Sequence, residues 1–150
     1  MTIELSMQGR LDYSADGENC HYFPLQIYWE DTDAGGIVYY ANYLKFTERA
    51  RTDLLRGLGI NQQEMMQEDG LNFVVRECHV EYLKPAKMDD LIEVQTRVCD
   101  LKGASLQMLQ NVYRGDDLLI KSSVRVACLK KTGRPARFSP QIKDKFASIV

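Results

Sequence analysis

Residues 30–59 read EDTDAGGIVYYANYLKFTERARTDLLRGLG. Acids and a glycine pair come first, and an amphipathic pattern follows. From Tyr43 the apolar side chains recur at Phe46, Ala50, Leu54 and Leu58, and Leu44 and Leu55 widen the stripe. Steps of three and four put them on one face of a helix. So broad a stripe predicts a helix largely enclosed by the rest of the fold. Gly59 suits the left-handed position just past its end. Asp33 and the Gly35–Gly36 pair therefore stand directly before a helix N-terminus expected near Tyr40 to Asn42.

Outward from that helix the period changes. Residues 61–70, NQQEMMQEDG, predict a second short helical turn with Asn61 as its N-cap. Beyond it, alternation of apolar and polar residues predicts strands at 71–82, 91–98, 105–113 and 118–129. On the first of these Val74, Cys78, Val80 and Tyr82 share a face. The turns KGA and RGDD separate the later ones. Before the helix, residues 22–28 (YFPLQIY) favour a strand, with Pro24 marking an edge or a start. Residues 1–20 are polar and are expected as a flexible N-terminal arm, with a short strand near Ile3 to Leu5. The tail from Lys130 predicts a turn at KTGRP and a short terminal helix. The expected fold class is α+β: one long central helix against a curled antiparallel sheet of about five strands, in a single domain over residues 21–150. Such a sheet leaves an exposed edge, and pairing it with a second subunit would hide it, so at least a dimer is expected.

Composition narrows the function classes. The chain has 150 residues, 45% of them hydrophobic and 27% charged. A net charge of −2 gives no basic field for nucleic acid. Cys20, Cys78, Cys99 and Cys128 form no CxxC pair and are expected as free thiols. No apolar run reaches the ~20 residues of a membrane span, and the N-terminus lacks the apolar run of a signal peptide. A cytoplasmic protein is expected. Serine-hydrolase elbows, phosphate loops, dinucleotide fingerprints and zinc spacings are missing from the sequence, so neither cofactor nor metal is expected. His21 is expected in a loop and His79 on a sheet face.

The opening stretch carries the parts of an acyl-transfer site. The first N–H groups of a helix lack intrahelical acceptors and carry partial positive charge. Gly35 and Gly36 let a carbonyl approach the backbone. Asp33 supplies a carboxylate. Such a set, with no histidine acid, suits a thioester, whose thiolate leaves at a pKa near ~8.5. It suits an amide poorly. The same residues also fit a plainer role, with Asp33 capping the turn and the glycines serving the turn alone.

The run YWEDTDAGGIVYYANYLKFTERAR resembles the signature of the 4-hydroxybenzoyl-CoA thioesterase family of hotdog-fold proteins. More narrowly it resembles the acyl-CoA thioesterase branch encoded with the bacterial Tol-Pal envelope system. The stretches FVVRECHVEYLKPAKMDDLIEVQT and KGASLQMLQNVYR are similar to that branch as well. The resemblance covers roughly residues 22–138. It implies a hotdog fold, a homodimer or homotetramer, and an acyl-CoA substrate, with short aliphatic acyl groups first. Asp33 falls on the family's catalytic aspartate, acting as nucleophile or as base toward water. Tyr40 falls where the backbone N–H meets the thioester oxygen. Many members of the branch have histidine there, so this chain keeps the amide but not an imidazole. Gly35, Gly36 and Tyr39 are expected to line the site, and Ser105 to join it from the neighbouring subunit. Coenzyme A phosphates need cations; candidates are Lys84, Lys102 and Arg134, with Lys87, Lys130, Lys131 and Arg137 beside them. Arg49 and Asp53 have the spacing of a surface ion pair on the helix. Two other functions compete: an acyl-carrier dehydratase, which needs a histidine opposite its acid, and a non-catalytic acyl-CoA, acyl-carrier or envelope-associated binding protein.

Overall fold

The structure is a computed structural model that describes residues 6–14 and 17–150. The strand expected near Ile3 to Leu5 lies outside the described residues. The elements run β1 (Arg10–Asp12), β2 (Cys20–Gln26), α1 (Asn42–Gly57), α2 (Gln62–Glu64), β3 (Leu71–Tyr82), β4 (Leu91–Cys99), β5 (Ser105–Arg114), β6 (Asp117–Lys130) and α3 (Pro140–Ala147). Among the described residues six strands form one antiparallel sheet in the order β1-β2-β4-β5-β6-β3. The extra strand beyond the expected five is β1, which pairs Arg10–Asp12 with Cys20–Tyr22 at the edge.

The helix starts and stops where its sequence requires. Asn61 caps α2 by accepting from the Glu64 N–H at 3.1 Å, and Gly59 ends α1 with φ +74°. One face of α1 is buried through Tyr43, Phe46, Ala50, Leu54 and Leu55. The opposite face, with Leu44, Lys45, Glu48 and Arg49, is open, so the helix is only half enclosed within one chain. α3 closes one end of the fold, where the Phe146 ring lies 5.5 Å from Phe138 and 6.0 Å from Phe73. β3 is the second edge and is mostly exposed along its length rather than alternating, because no strand among the described residues pairs its outer side.

The sheet face under α1 is apolar except for one line. His21 pairs with Thr96, Thr96 with Gln110, and Gln110 with Ser122, across β2, β4, β5 and β6. All of them are buried. The expectation of His21 as a loop residue is corrected: its side chain is 0% exposed, and Nε2 lies 2.8 Å from Asp53 Oδ2. The expected Arg49–Asp53 surface pair is also corrected. Asp53 is buried, and besides His21 it accepts from the N–H groups of Gln8 (2.6 Å) and Gly9 (2.9 Å). It thus ties a segment of the first twenty residues to α1. A Cβ on Gly9 would stand 2.2 Å from the Tyr22 carbonyl, so only glycine fits this approach.

His21 Nδ1 is buried with no partner among the described residues. With Nε2–H donating to Asp53, the neutral ring leaves only a lone pair there. Protonation would bury an unpaired N–H, and burial accordingly lowers the His21 pKa, with Asp53 opposing it. The unfolded chain then takes up a proton that the folded one refuses. Stability from this site is therefore full above about pH 6.5, the unfolded value, and declines as pH falls toward the lowered folded value. Urea unfolding of wild type and His21→Gln between pH 7.5 and 5 checks this; the wild-type decline should be steeper. Asp53→Ala leaves the neutral His21 and the Gln8 and Gly9 N–H groups without their acceptor and should cost about 1–3 kcal/mol for each donor left buried and unsatisfied, read in the same assay.

Candidate active site

The connection from β2 to α1 is built by short-range bonds. The Asp33 N–H donates to the Ile37 carbonyl at 2.9 Å, and the Gly36 N–H to the Asp33 carbonyl at 3.0 Å. The Gly35 N–H donates to Asp33 Oδ1 at 2.8 Å. Asp33 thus does cap its own turn, through one oxygen. Among the described residues no donor reaches Oδ2. Asp33, Gly35 and Gly36 are all exposed. Gly36 has φ +80°, a conformation that side chains resist.

Two anchors fix this turn against the helix start. The Tyr39 N–H (3.0 Å) and Asn42 Nδ2 (2.9 Å) both donate to the Asp31 carbonyl. On the other side the Val38 N–H donates to the Ala86 carbonyl at 2.9 Å. The Ala86 N–H in turn donates to the Tyr43 hydroxyl at 3.0 Å, and burial raises the pKa of that phenol, so it stays neutral. α1 has no side-chain N-cap. Among the described residues nothing accepts from the Tyr40 N–H, and Tyr40 is 61% exposed. An unused N–H at the start of a 16-residue helix is a ready oxyanion donor.

Tyr40 and Lys84 line one cleft of about 240 Å³, with Ile37, Tyr43, Tyr82 and Pro85. Tyr82 was not singled out in the sequence as a site residue. Its hydroxyl donates to the Tyr40 carbonyl at 3.1 Å, and its ring packs against those of Tyr40 (6.0 Å) and Tyr43 (5.9 Å). The signal available was its place on the sequence-predicted face shared with Val74, Cys78 and Val80. The Tyr39 ring is exposed, 4.9 Å from that of Tyr40. The Asp33 turn adjoins the cleft through Ile37 but does not line it.

Lys84 is ion-paired within the cleft, whereas Ser105, Lys102 and Arg134 lie elsewhere. Lys84 Nζ is 3.1 Å from Asp117 Oδ1, and the Lys84 N–H donates to the Leu119 carbonyl. Ser105 pairs with Ala127, eight residues further along β6. That is roughly 26 Å away at ~3.3 Å per residue. Lys102 sits in the same hairpin end, 3.9 Å from Asp100, and Arg134 is in the turn after β6. Within one chain these three do not meet Tyr40.

A helix whose free N-terminus rises from an acid–glycine turn, cradled by a curled antiparallel sheet, defines the hotdog class. The chain belongs to the thioesterase-like superfamily, whose family model matches residues 27–146, and it is a thioester hydrolase. It is 43% identical over 130 residues to an acyl-CoA thioesterase, YbgC, of Haemophilus influenzae, covering 86% of this chain and 96% of that one. It is 41% identical to the acyl-CoA thioester hydrolase YbgC of Escherichia coli O6:H1, covering 85% and 91%. A crystal structure from Bartonella henselae, described as a probable thioesterase, superimposes with TM-score 0.77 at 36% identity, over 80% of this chain and 99% of that one. No helix among the described residues is long and apolar enough to cross a membrane.

A Cβ added at Gly36 meets nothing within 4 Å, so replacing it tests backbone strain alone. Gly36→Ala should lower the unfolding free energy by about 1–2 kcal/mol, read by urea denaturation.

Proposed function

We propose that this chain hydrolyses acyl-CoA thioesters, short-chain aliphatic ones first, with Asp33 as the reacting carboxylate and the Tyr40 N–H as the oxyanion donor. The observation that carries this reading is the Tyr40 N–H, left without an acceptor beside a turn that presents Asp33. The two YbgC relatives, named as acyl-CoA enzymes, support the substrate class.

Water adds to the thioester carbonyl carbon while Asp33 takes its proton. The carbonyl oxygen becomes an oxyanion at the Tyr40 N–H, favoured by the helix dipole. Collapse breaks the C–S bond, and the electron pair leaves on sulfur as coenzyme A thiolate. Direct attack by Asp33, giving a mixed anhydride that water then opens, uses the same two groups. A thiolate needs little help in leaving, which fits a site without a histidine acid. His21 is held under α1 by Asp53, which weighs against a dehydratase.

Lys84 is the cation beside the cleft. Ser105, Lys102 and Arg134 would serve from a second subunit, and the open edge of β3 is the surface through which a homodimer or homotetramer would form. A cytoplasmic setting, expected because no apolar run in the sequence is long enough for a membrane span, and a link to the Tol-Pal system, implied by the sequence resemblance, belong to the same proposal. A non-catalytic acyl-CoA binder is the second reading, and turnover separates the two.

Thiol release from a panel of acyl-CoA esters, followed with a thiol reagent, is the test. Wild type should turn over at least one ester, and Asp33→Ala should lose on the order of a hundredfold or more. Unchanged turnover in a folded Asp33→Ala protein would remove Asp33 from the reaction. Tight binding without hydrolysis across the panel would favour the binder.

A further inference from the structure

α1 begins on a closed four-residue turn. The Asn42 N–H donates to the Tyr39 carbonyl at 2.8 Å, with Tyr40 and Ala41 between them. Such a bond ties the ends of a turn and leaves its central peptide, here the Tyr40–Ala41 unit, unheld. Turns of type I and type II share the closing bond and differ by a rotation of that unit through roughly 150°. Ala41, with φ −71° and ψ −19°, keeps the type I form. A complete flip would need a positive φ at Ala41, which a side chain resists. Smaller rocking meets no such penalty.

Tyr82 supplies the restraint. Among the described residues no backbone N–H donates to the Tyr40 carbonyl, and the Tyr82 hydroxyl is its one donor, at 3.1 Å. Tyr82 is itself held by pairing with Ile120 in the sheet and by ring contacts with Tyr40 and Tyr43. Burial, then Cys78 and Tyr40, raises the pKa of the phenol, so it keeps its proton at neutral pH.

The two peptide units of this turn are therefore alike. Each has its carbonyl bonded, that of Tyr39 by Asn42 and that of Tyr40 by Tyr82. Each has its N–H unused: among the described residues nothing accepts from the Tyr40 or the Ala41 N–H. A peptide whose carbonyl accepts a hydrogen bond is polarised into a stronger donor at its N–H. Oxyanion sites commonly gather more than one such donor.

We infer that the oxyanion site has a second donor, the Ala41 N–H, and that Tyr82 is the positioning residue that holds and polarises the peptide carrying it. This role rests on the reading of Asp33 and the Tyr40 N–H as the reacting groups. Charge grows on the thioester oxygen as the carbonyl is attacked, so losing the Tyr82 hydroxyl weakens the transition state more than the bound substrate.

Tyr82→Phe keeps the ring and removes only the hydroxyl. On an acyl-CoA ester that wild type hydrolyses, kcat should fall roughly tenfold, the contribution of about one hydrogen bond, while KM stays within about twofold. Amide NMR reads the donors directly, using the ketone analogue of butyryl-CoA, which has a methylene between sulfur and carbonyl and cannot be hydrolysed. In wild type the Tyr40 and Ala41 amide protons should both move downfield at saturation. In Tyr82→Phe the Ala41 movement should shrink and that of Tyr40 persist. If neither proton moves in wild type, the Tyr40 assignment falls and the Ala41 one with it. If Tyr40 moves and Ala41 does not, or if kcat or the Ala41 movement is unchanged in Tyr82→Phe, the second donor and its support are overturned while the Asp33 and Tyr40 reading stands. The wild-type measurement decides on Ala41 whether or not the variant folds.

Discussion

A polar line crosses an otherwise apolar sheet face, and the placing of α1 depends on it. His21, Thr96, Gln110 and Ser122 lie in register across four strands. Buried polar groups are costly unless bonded, and here most of the bonds go to the helix. His21 holds Asp53, and Gln110 holds Thr47 and Arg51. Apolar packing alone is tolerant of small rotations and slides. Directional bonds at these points set both the rotation of the helix and its position along the sheet.

That setting reaches the helix start. Once α1 is fixed, Tyr43 stands where its hydroxyl can accept from Ala86, and Val38 pairs with the same residue's carbonyl. The β3–β4 connection is thereby locked to the segment carrying Gly35 and Gly36. Among the described residues the Tyr40 N–H has no acceptor, and Tyr82 braces its carbonyl. The glycines give the turn its shape, but its orientation toward the helix comes from bonds made several elements away.

The sheet also sets the candidate site residues of one chain apart. Lys84 and Tyr40 share a cleft, while Ser105, Lys102 and Arg134 gather at the far end of β6. The long, unpaired flank of β3 runs between those two ends. A second copy paired along that flank in antiparallel fashion would bring opposite ends together, which a single chain cannot do.

Much of the architecture was legible in the sequence because it is local. The span of β3, the cap at Asn61, the stop at Gly59 and the buried stripe of α1 follow from alternation, helical spacing and a left-handed residue. The acid–glycine turn before a helix start was legible for the same reason. What the sequence could not show is which polar residues meet across the fold. Asp53 fits a surface pair with Arg49 by spacing, yet its partner is His21, 32 residues away. Gln110 is unremarkable in a strand pattern, and becomes the support of Arg51 only when β4, β5 and α1 converge on it. Spacing along a chain reports neighbours on one element; burial of a charge is decided by the elements that close over it.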